Sequence, residues 1–167
     1  MIEEPRARIQ RVGCTQPRGR AAAYDPSATG TNLTTDPITA DELLAQARAK
    51  LRRLTPRETH ARLADGLRLV DIRSDAQREA DGLIPGAVYV PRNVLEWRLD
   101  PACPHRDPEL GRADARVALI CDEGFQSSLA AATVARFGLA EVTDVVGGFR
   151  AWRAAGLPVA RMGNQEP

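Results

Sequence analysis

Cys121 ends the apolar run Val117-Ala118-Leu119-Ile120 and opens the loop Asp122-Glu123-Gly124-Phe125-Gln126-Ser127, after which Ala-rich helical sequence begins. A thiol placed there sits where loop N–H groups and the unpaired first N–H groups of a helix converge, and such donors favour thiolate over thiol. The chemistry this suits is nucleophilic, with the backbone of residues 122–127 as a cradle for a partly negative sulfur. Gly124 lets the loop curl without a Cβ clash, while Ser127 and Ser128 suit a helix start. Asp122 and Glu123 cut the other way. Two unit charges about 7 Å apart interact by roughly 2 kcal/mol at an effective dielectric near 20, against about 0.3–1 kcal/mol from a helix terminus. If both carboxylates face the mouth of the loop, they repel anions. If they point to solvent or pair with Arg73, Arg92, Arg150 or Arg153, the pocket is left neutral. The residues leave both arrangements open.

Other cysteine chemistry has less support. Cys14, Cys103 and Cys121 are an odd, widely spaced set, which argues against a disulfide framework and for a reducing compartment, so a cytoplasmic location is expected. Cys103-Pro104-His105, Cys121 and His60 match no common zinc spacing, and neither a metal nor another cofactor is expected.

The elements that must position Cys121 follow from pattern. The chain of 167 residues, 43% hydrophobic and 27% charged, fits one compact domain with sequence to spare at an end. Its net charge of +1 and the lack of a long apolar run indicate neither a nucleic-acid surface nor a membrane span. Residues 1–38 are rich in Pro, Gly and Thr and hold five arginines within 1–24 against Glu3 and Glu4; they read as a disordered or loosely attached leader. Thr39-Ala40-Asp41-Glu42 is a capping box, and Leu44, Ala47, Leu51 and Leu54 repeat at helical spacing, predicting an amphipathic helix of about fourteen residues within 39–54. Its apolar face is expected to pack on the domain, with self-association as the alternative. A second capping box, Thr55-Pro56-Arg57-Glu58, starts a short helix ended by Gly66.

Strand and helix then alternate: strands at Leu67–Ile72, Ala87–Val90, Val117–Ile120 and Val142–Val146, helices at Asp75–Ala80, Asn93–Leu99, Ser127–Phe137 and from Gly148 to Ala155. Alternation of this kind implies an α/β fold with a parallel sheet covered by helices. Trp97 reads as a core residue of its helix, and residues 101–111, with three prolines, as an irregular connection.

Four motifs in order, Leu69-Val70-Asp71-Ile72-Arg73, Asp81-Gly82-Leu83-Ile84-Pro85-Gly86-Ala87, Cys121 through Ser128, and Val146-Gly147-Gly148-Phe149-Arg150-Ala151-Trp152 with Gly156-Leu157-Pro158, resemble the rhodanese-like domain over about residues 55–160. The resemblance implies a three-layer α/β fold with a roughly five-stranded parallel sheet, the first strand a short segment near Arg53–Leu54, followed by a tail over 161–167. It implies a sulfurtransferase that carries sulfane sulfur as a persulfide on Cys121 and passes it to a thiol or other nucleophile. Asp122 to Ser127 would then be the active-site loop, with Asp71 and Arg73 as supporting residues that fix the turn after the first long strand by ion pairs and backbone hydrogen bonds.

The chain departs from the family where thiosulfate-handling members carry a basic residue in the loop. Asp122, Glu123 and Gln126 stand there instead, so thiosulfate is expected to be a poor donor, and a neutral or cationic donor, or a persulfide delivered by a partner protein with a basic surface, a better one. Leu83 replaces the histidine usual before Ile-Pro-Gly-Ala. Position 127 is serine where phosphatases of this fold need an arginine, so phosphatase activity is not expected. The expected partners are a sulfur donor and a thiol acceptor, small molecule or protein; the oligomeric state is left open. The competing reading is a non-catalytic rhodanese-like module that binds a partner or senses oxidants through Cys121.

Overall fold

The computed structural model describes residues 37–161. Nearly all of the leader expected over 1–38, the end of the tail and Cys14 lie outside the described residues.

Thr39 caps α1 (Ala40–Ala49), accepting from the Glu42 N–H while the Glu42 carboxylate accepts from the Thr39 N–H. Leu44 and Ala47 turn inward, and α1 packs on the helix that follows Cys121. The helix is shorter than the periodicity predicts and stops at Lys50. A second reciprocal cap at Thr55 starts α2 (Pro56–Leu63), which leaves six residues between the helices. Leu54, the last position of the apolar repeat, is thereby drawn out of helical geometry and buried as an isolated parallel bridge to Val145.

Four strands form the sheet: β1 (Arg68–Asp71), β2 (Val88–Tyr89), β3 (Arg116–Ile120) and β4 (Glu141–Asp144), all parallel in the order β2-β1-β3-β4. The fifth strand expected near Arg53–Leu54 is reduced to the Leu54 bridge, because Thr55 must already cap α2.

β3 is the central strand, and pleating sends alternate residues to opposite faces. Val117 and Leu119 meet Val70, Leu95, Leu99, Ala130, Ala131 and Val134 on one face. Ala118 and Ile120 meet Leu54, Leu69, Ile84, Val145, Phe149 and Trp152 on the other. The first face is covered by α4 (Leu95–Leu99, entered through a 3₁₀ turn at Arg92–Val94) and α5 (Gln126–Val134, extended by a 3₁₀ turn to Phe137). The second is covered by α6 (Gly148–Ala154), against which α2 packs. α3 (Asp75–Asp81) joins β1 to β2.

Trp97 is not a core residue. It is 52% exposed, whereas Leu95 and Leu99 are fully buried. Four-residue spacing puts the two leucines on one face of α4, and a residue midway between them projects from the other side.

At the amino end of the sheet, Glu141 accepts from both terminal nitrogens of Arg62 at 2.7 Å and from Arg116 Nε at 3.1 Å. The Arg62 hydrogen bonds, aided by those of Arg116, hold the Glu141 carboxyl below its usual range. A carboxyl depressed in the folded state stabilises the fold above its unfolded value of about 4.3, and that contribution disappears as pH falls through the folded value. Glu141→Gln is therefore expected to cost up to about 1 kcal/mol near neutral pH. The stability gap between the two proteins in urea melts should narrow as pH falls below about 4.3; a gap that does not narrow on acidification would contradict the pairing.

Candidate active site

The strands end together at the carboxyl edge of the sheet, and Cys121 is the first residue beyond β3. The loop from 122 to 125 reverses at Gly124, whose φ is +78°, and a Cβ there would fall 2.9 Å from the Gly147 nitrogen. Glycine is needed for the backbone conformation and for the close approach of the loop preceding α6.

Three contacts converge on Cys121 Sγ: the Gly124 N–H donates at 3.2 Å, the Ser127 N–H at 3.3 Å, and the Ser127 hydroxyl lies at 3.2 Å. Cys121 is buried at the edge of the core, with 6% of its surface accessible. Ser127, Ser128 and Gly124 are buried, while Glu123, Phe125 and Gln126 are exposed, so the loop turns its polar backbone inward and its larger side chains outward.

Both carboxylates beside the cysteine are ion-paired. Asp122 meets Arg150 Nε at 2.8 Å and Glu123 meets Arg150 Nη1 at 2.7 Å. Of the arrangements the sequence leaves open, the paired one is realised, through a residue on α6. The Phe149 and Arg150 N–H groups at the start of α6 also donate to the Cys121 and Asp122 carbonyls, at 2.8 and 3.0 Å. The positive end of α6 thus grips the rear of the loop.

Beneath the loop is a network that pattern reading did not single out. Asp144, fully buried at the end of β4, is held by Arg53 through Nε at 2.8 Å and Nη2 at 2.9 Å. Its Oδ2 lies 2.7 Å from the Ser128 hydroxyl and 3.4 Å from that of Ser127. A hydroxyl carries one proton. The Ser127 hydroxyl donates a hydrogen bond to Asp144 while it accepts from the thiol, and can turn its O–H to the sulfur when the thiol is ionised. An acidic residue inside the apolar stretch Val142–Val146 is the signal that would have found Asp144. Arg48 and Arg53, by contrast, are indistinguishable from the other cations of α1 and its exit.

Asp71 and Arg73 lie one strand over. The Arg73 guanidinium bonds to the Asp71 carboxylate, at 2.7 Å at its closest, donates to the Gly82 carbonyl at 2.9 Å, and stacks 3.7 Å from the Phe149 ring centroid. Leu83, at the family's histidine position, forms an antiparallel bridge with Ala160. Between the ends of β1, β2 and the cysteine loop runs a groove of mixed lining, about 830 Å³ in volume, walled among others by Ile72, Ser74, Tyr89, Arg92, Val94 and Gln126. Ligands of open α/β sheets bind along this edge. His60 packs edge-on against Trp152 with centroids 5.7 Å apart, and among the described residues no cluster of three or more potential metal ligands occurs. No helix among them is long and apolar enough to cross a membrane.

Comparison with known proteins agrees with this architecture. The family model for the rhodanese-like domain matches residues 55–155. A sulfurtransferase of Allochromatium vinosum is 34% identical over 100 residues, covering 59% of this chain and 84% of the relative. Thiosulfate sulfurtransferase GlpE of Pseudomonas entomophila is 30% identical over 118 residues, covering 71% and 99%. A solved structure from Rhodopseudomonas palustris, of unknown function and named as a possible tyrosine phosphatase, aligns with TM-score 0.68 at 34% identity, covering 75% of this chain and 97% of its own. With a family model spanning more than half its residues and curated sulfurtransferases among its relatives, the chain belongs to the rhodanese-like domain family.

Proposed function

We propose that this protein is a sulfurtransferase that carries sulfane sulfur as a persulfide on Cys121. The observation that carries this reading is the convergence of the Gly124 N–H, the Ser127 N–H and the Ser127 hydroxyl on one sulfur atom at the end of β3. The two N–H donors, joined by the Ser127 hydroxyl once the thiol has lost its proton, stabilise negative charge on the attacking thiolate and on the persulfide that replaces it.

In the first half-reaction, the Cys121 thiolate attacks the outer sulfur of the donor. An S–S bond forms at Sγ, the donor's own S–S bond breaks, and its electron pair leaves with the donor thiolate or sulfite. In the second, an acceptor thiolate attacks the terminal sulfur, its new S–S bond forms, and Cys121 returns as thiolate. Neither step needs an oxidant or a metal.

Donor choice follows from charge. No residue from 122 to 127 is basic, and the Arg150 guanidinium beside the loop is taken up by Asp122 and Glu123. A dianion such as thiosulfate is disfavoured against a thiol-bound persulfide or a persulfide presented on a basic protein surface. A cytoplasmic setting, where acceptor thiols stay reduced, fits this chemistry.

The tyrosine phosphatase named for the Rhodopseudomonas relative is the weaker reading. Six positions after Cys121 stands Ser127, with no guanidinium to clamp a phosphate dianion bidentately.

The test is to incubate the protein with thiosulfate and with an organic persulfide and weigh the peptide containing Cys121. The wild type is expected to gain the mass of one sulfur atom, more readily from the persulfide, and Cys121→Ser to gain none there. Failure of both donors to load Cys121, while it still reacts with an alkylating agent, would leave the non-catalytic, partner-binding module as the reading.

A further inference from the structure

Gly124 is the pivot of the loop. With φ at +78°, its N–H points at the sulfur, and as a glycine it offers little resistance to rotation of the next peptide plane. That plane is held from behind through the Gly124 carbonyl. Three groups approach its oxygen: Ser128 Oγ at 2.9 Å, Arg48 Nη2 at 3.0 Å and Arg53 Nη2 at 3.4 Å. The Ser128 hydroxyl has one proton and a closer, charged acceptor in Asp144 at 2.7 Å, and the same Arg53 nitrogen already bonds to Asp144 at 2.9 Å. Arg48 is therefore the principal donor to this carbonyl. Its Nε donates to Ser128 Oγ at 3.3 Å, and its guanidinium lies 5.6 Å from the Phe125 ring centroid. One side chain thus touches three consecutive features of the loop and of α5.

The peptide from Gly124 to Phe125 is trans, so its N–H points opposite to its C=O. With the carbonyl drawn toward α1 and α5, that N–H is turned the other way. The Gly124 N–H that donates to Sγ lies on the preceding peptide plane, hinged to this one at the Gly124 Cα, so rotation of the held plane would disturb the loop geometry that aims that donor. We propose that Arg48, on a helix outside the 55–155 family match, is a positioning residue for sulfur transfer: it holds the Gly124 carbonyl away and thereby keeps the loop's donors in place. This inference rests on the persulfide reading above. It makes α1 part of the working unit, and a domain cut at residue 55 would lack the clamp.

The test uses the full chain. Arg48→Ala and Arg48→Lys are loaded with an organic persulfide, and loss of sulfur from Cys121 is followed by mass spectrometry without acceptor. Turnover with a thiol acceptor is resolved into kcat and KM. Losing a hydrogen bond from a charged donor, with Arg53 and Ser128 still nearby, is expected to shorten the persulfide lifetime and lower kcat about three- to ten-fold in Arg48→Ala, with KM little changed. Arg48→Lys, which keeps one cationic donor, should recover part of both. Leu44→Ala loosens α1 without removing a donor; if it shortens the persulfide lifetime as much as Arg48→Ala does, the role is structural and the proposal falls. An unchanged lifetime in Arg48→Ala also overturns it. Alkylation of Cys121, read on its own peptide, needs no sulfur donor. Should the wild type never load sulfur, the persulfide reading fails, and slower alkylation of Arg48→Ala against Leu44→Ala still decides the positioning claim.

Discussion

Asp71→Ala is expected to lower the unfolding free energy by about 3–5 kcal/mol, the range for leaving a buried charge without its partner. The Arg73 side chain is fully buried, so its guanidinium cannot turn to water when the carboxylate is removed. Asp71 accepts from Arg73 Nε and Nη2, and from the Arg73 backbone N–H at 3.0 Å, while Arg78 Nε lies 3.7 Å away. After the substitution the guanidinium keeps only the Gly82 carbonyl and the face of Phe149. One of its nitrogens, Nη1, already lacks a hydrogen-bond partner, so the pair is not over-satisfied to begin with. Replacing both members, Asp71→Leu with Arg73→Met, removes the stranded charge and should return most of the loss. Chemical denaturation of the three proteins settles it. A single-variant loss under about 1 kcal/mol would mean that water reaches Arg73.

The effect reaches the site through the chain. The pair fixes the turn that leads from β1 to Ser74, and Ser74 caps α3 and lines the groove beside Gln126. Sulfur loading at a temperature where the variant is still folded should therefore slow as well.

Gly148→Ala is the second large effect, and it acts on the cysteine loop directly. Gly148 has φ of +60°, and a Cβ there would lie 2.5 Å from the Cys121 carbonyl oxygen and 2.6 Å from that of Asp122. Both contacts are backbone, so neither can swing aside. The left-handed conformation costs about 1–2 kcal/mol for a residue with a Cβ, and relieving the overlap adds about 1–3 kcal/mol. Relief means moving the start of α6 off the loop, which stretches the Phe149 and Arg150 hydrogen bonds to the same two carbonyls. We expect a stability loss of about 2–5 kcal/mol and at least a ten-fold slower alkylation of Cys121, about 1.4 kcal/mol in barrier.

Gly86→Ala isolates the backbone part. Its φ is +77° with nothing within 4 Å of the added atom, so it should cost only the conformational share and leave Cys121 reactivity unchanged. If Gly148→Ala proves no worse than Gly86→Ala in both assays, the contact between α6 and the loop is not what holds the cysteine.

What the sequence determined by itself was the set of elements and the place of Cys121 at the end of the central strand. Both capping boxes, at Thr39 and Thr55, appear as reciprocal hydrogen bonds, and the run ending at Cys121 is the central strand. These signals are local: a cap spans three residues, strand pleating repeats every two, and a strand-to-helix turn places its thiol within one short segment. What tertiary structure decided was every relation that spans long stretches of chain. Arg150 pairs with the carboxylates of a loop 28 positions away, Arg53 meets Asp144 across 91, and Arg48 reaches Gly124 across 76. In the sequence these arginines look like any solvated cation, because a guanidinium's partner is fixed by where the folded chain brings it and not by its neighbours. The same reason moved Trp97 outward and shrank the fifth strand to Leu54: burial and pairing are settled by which face closes against the sheet and by how few residues remain to reach it.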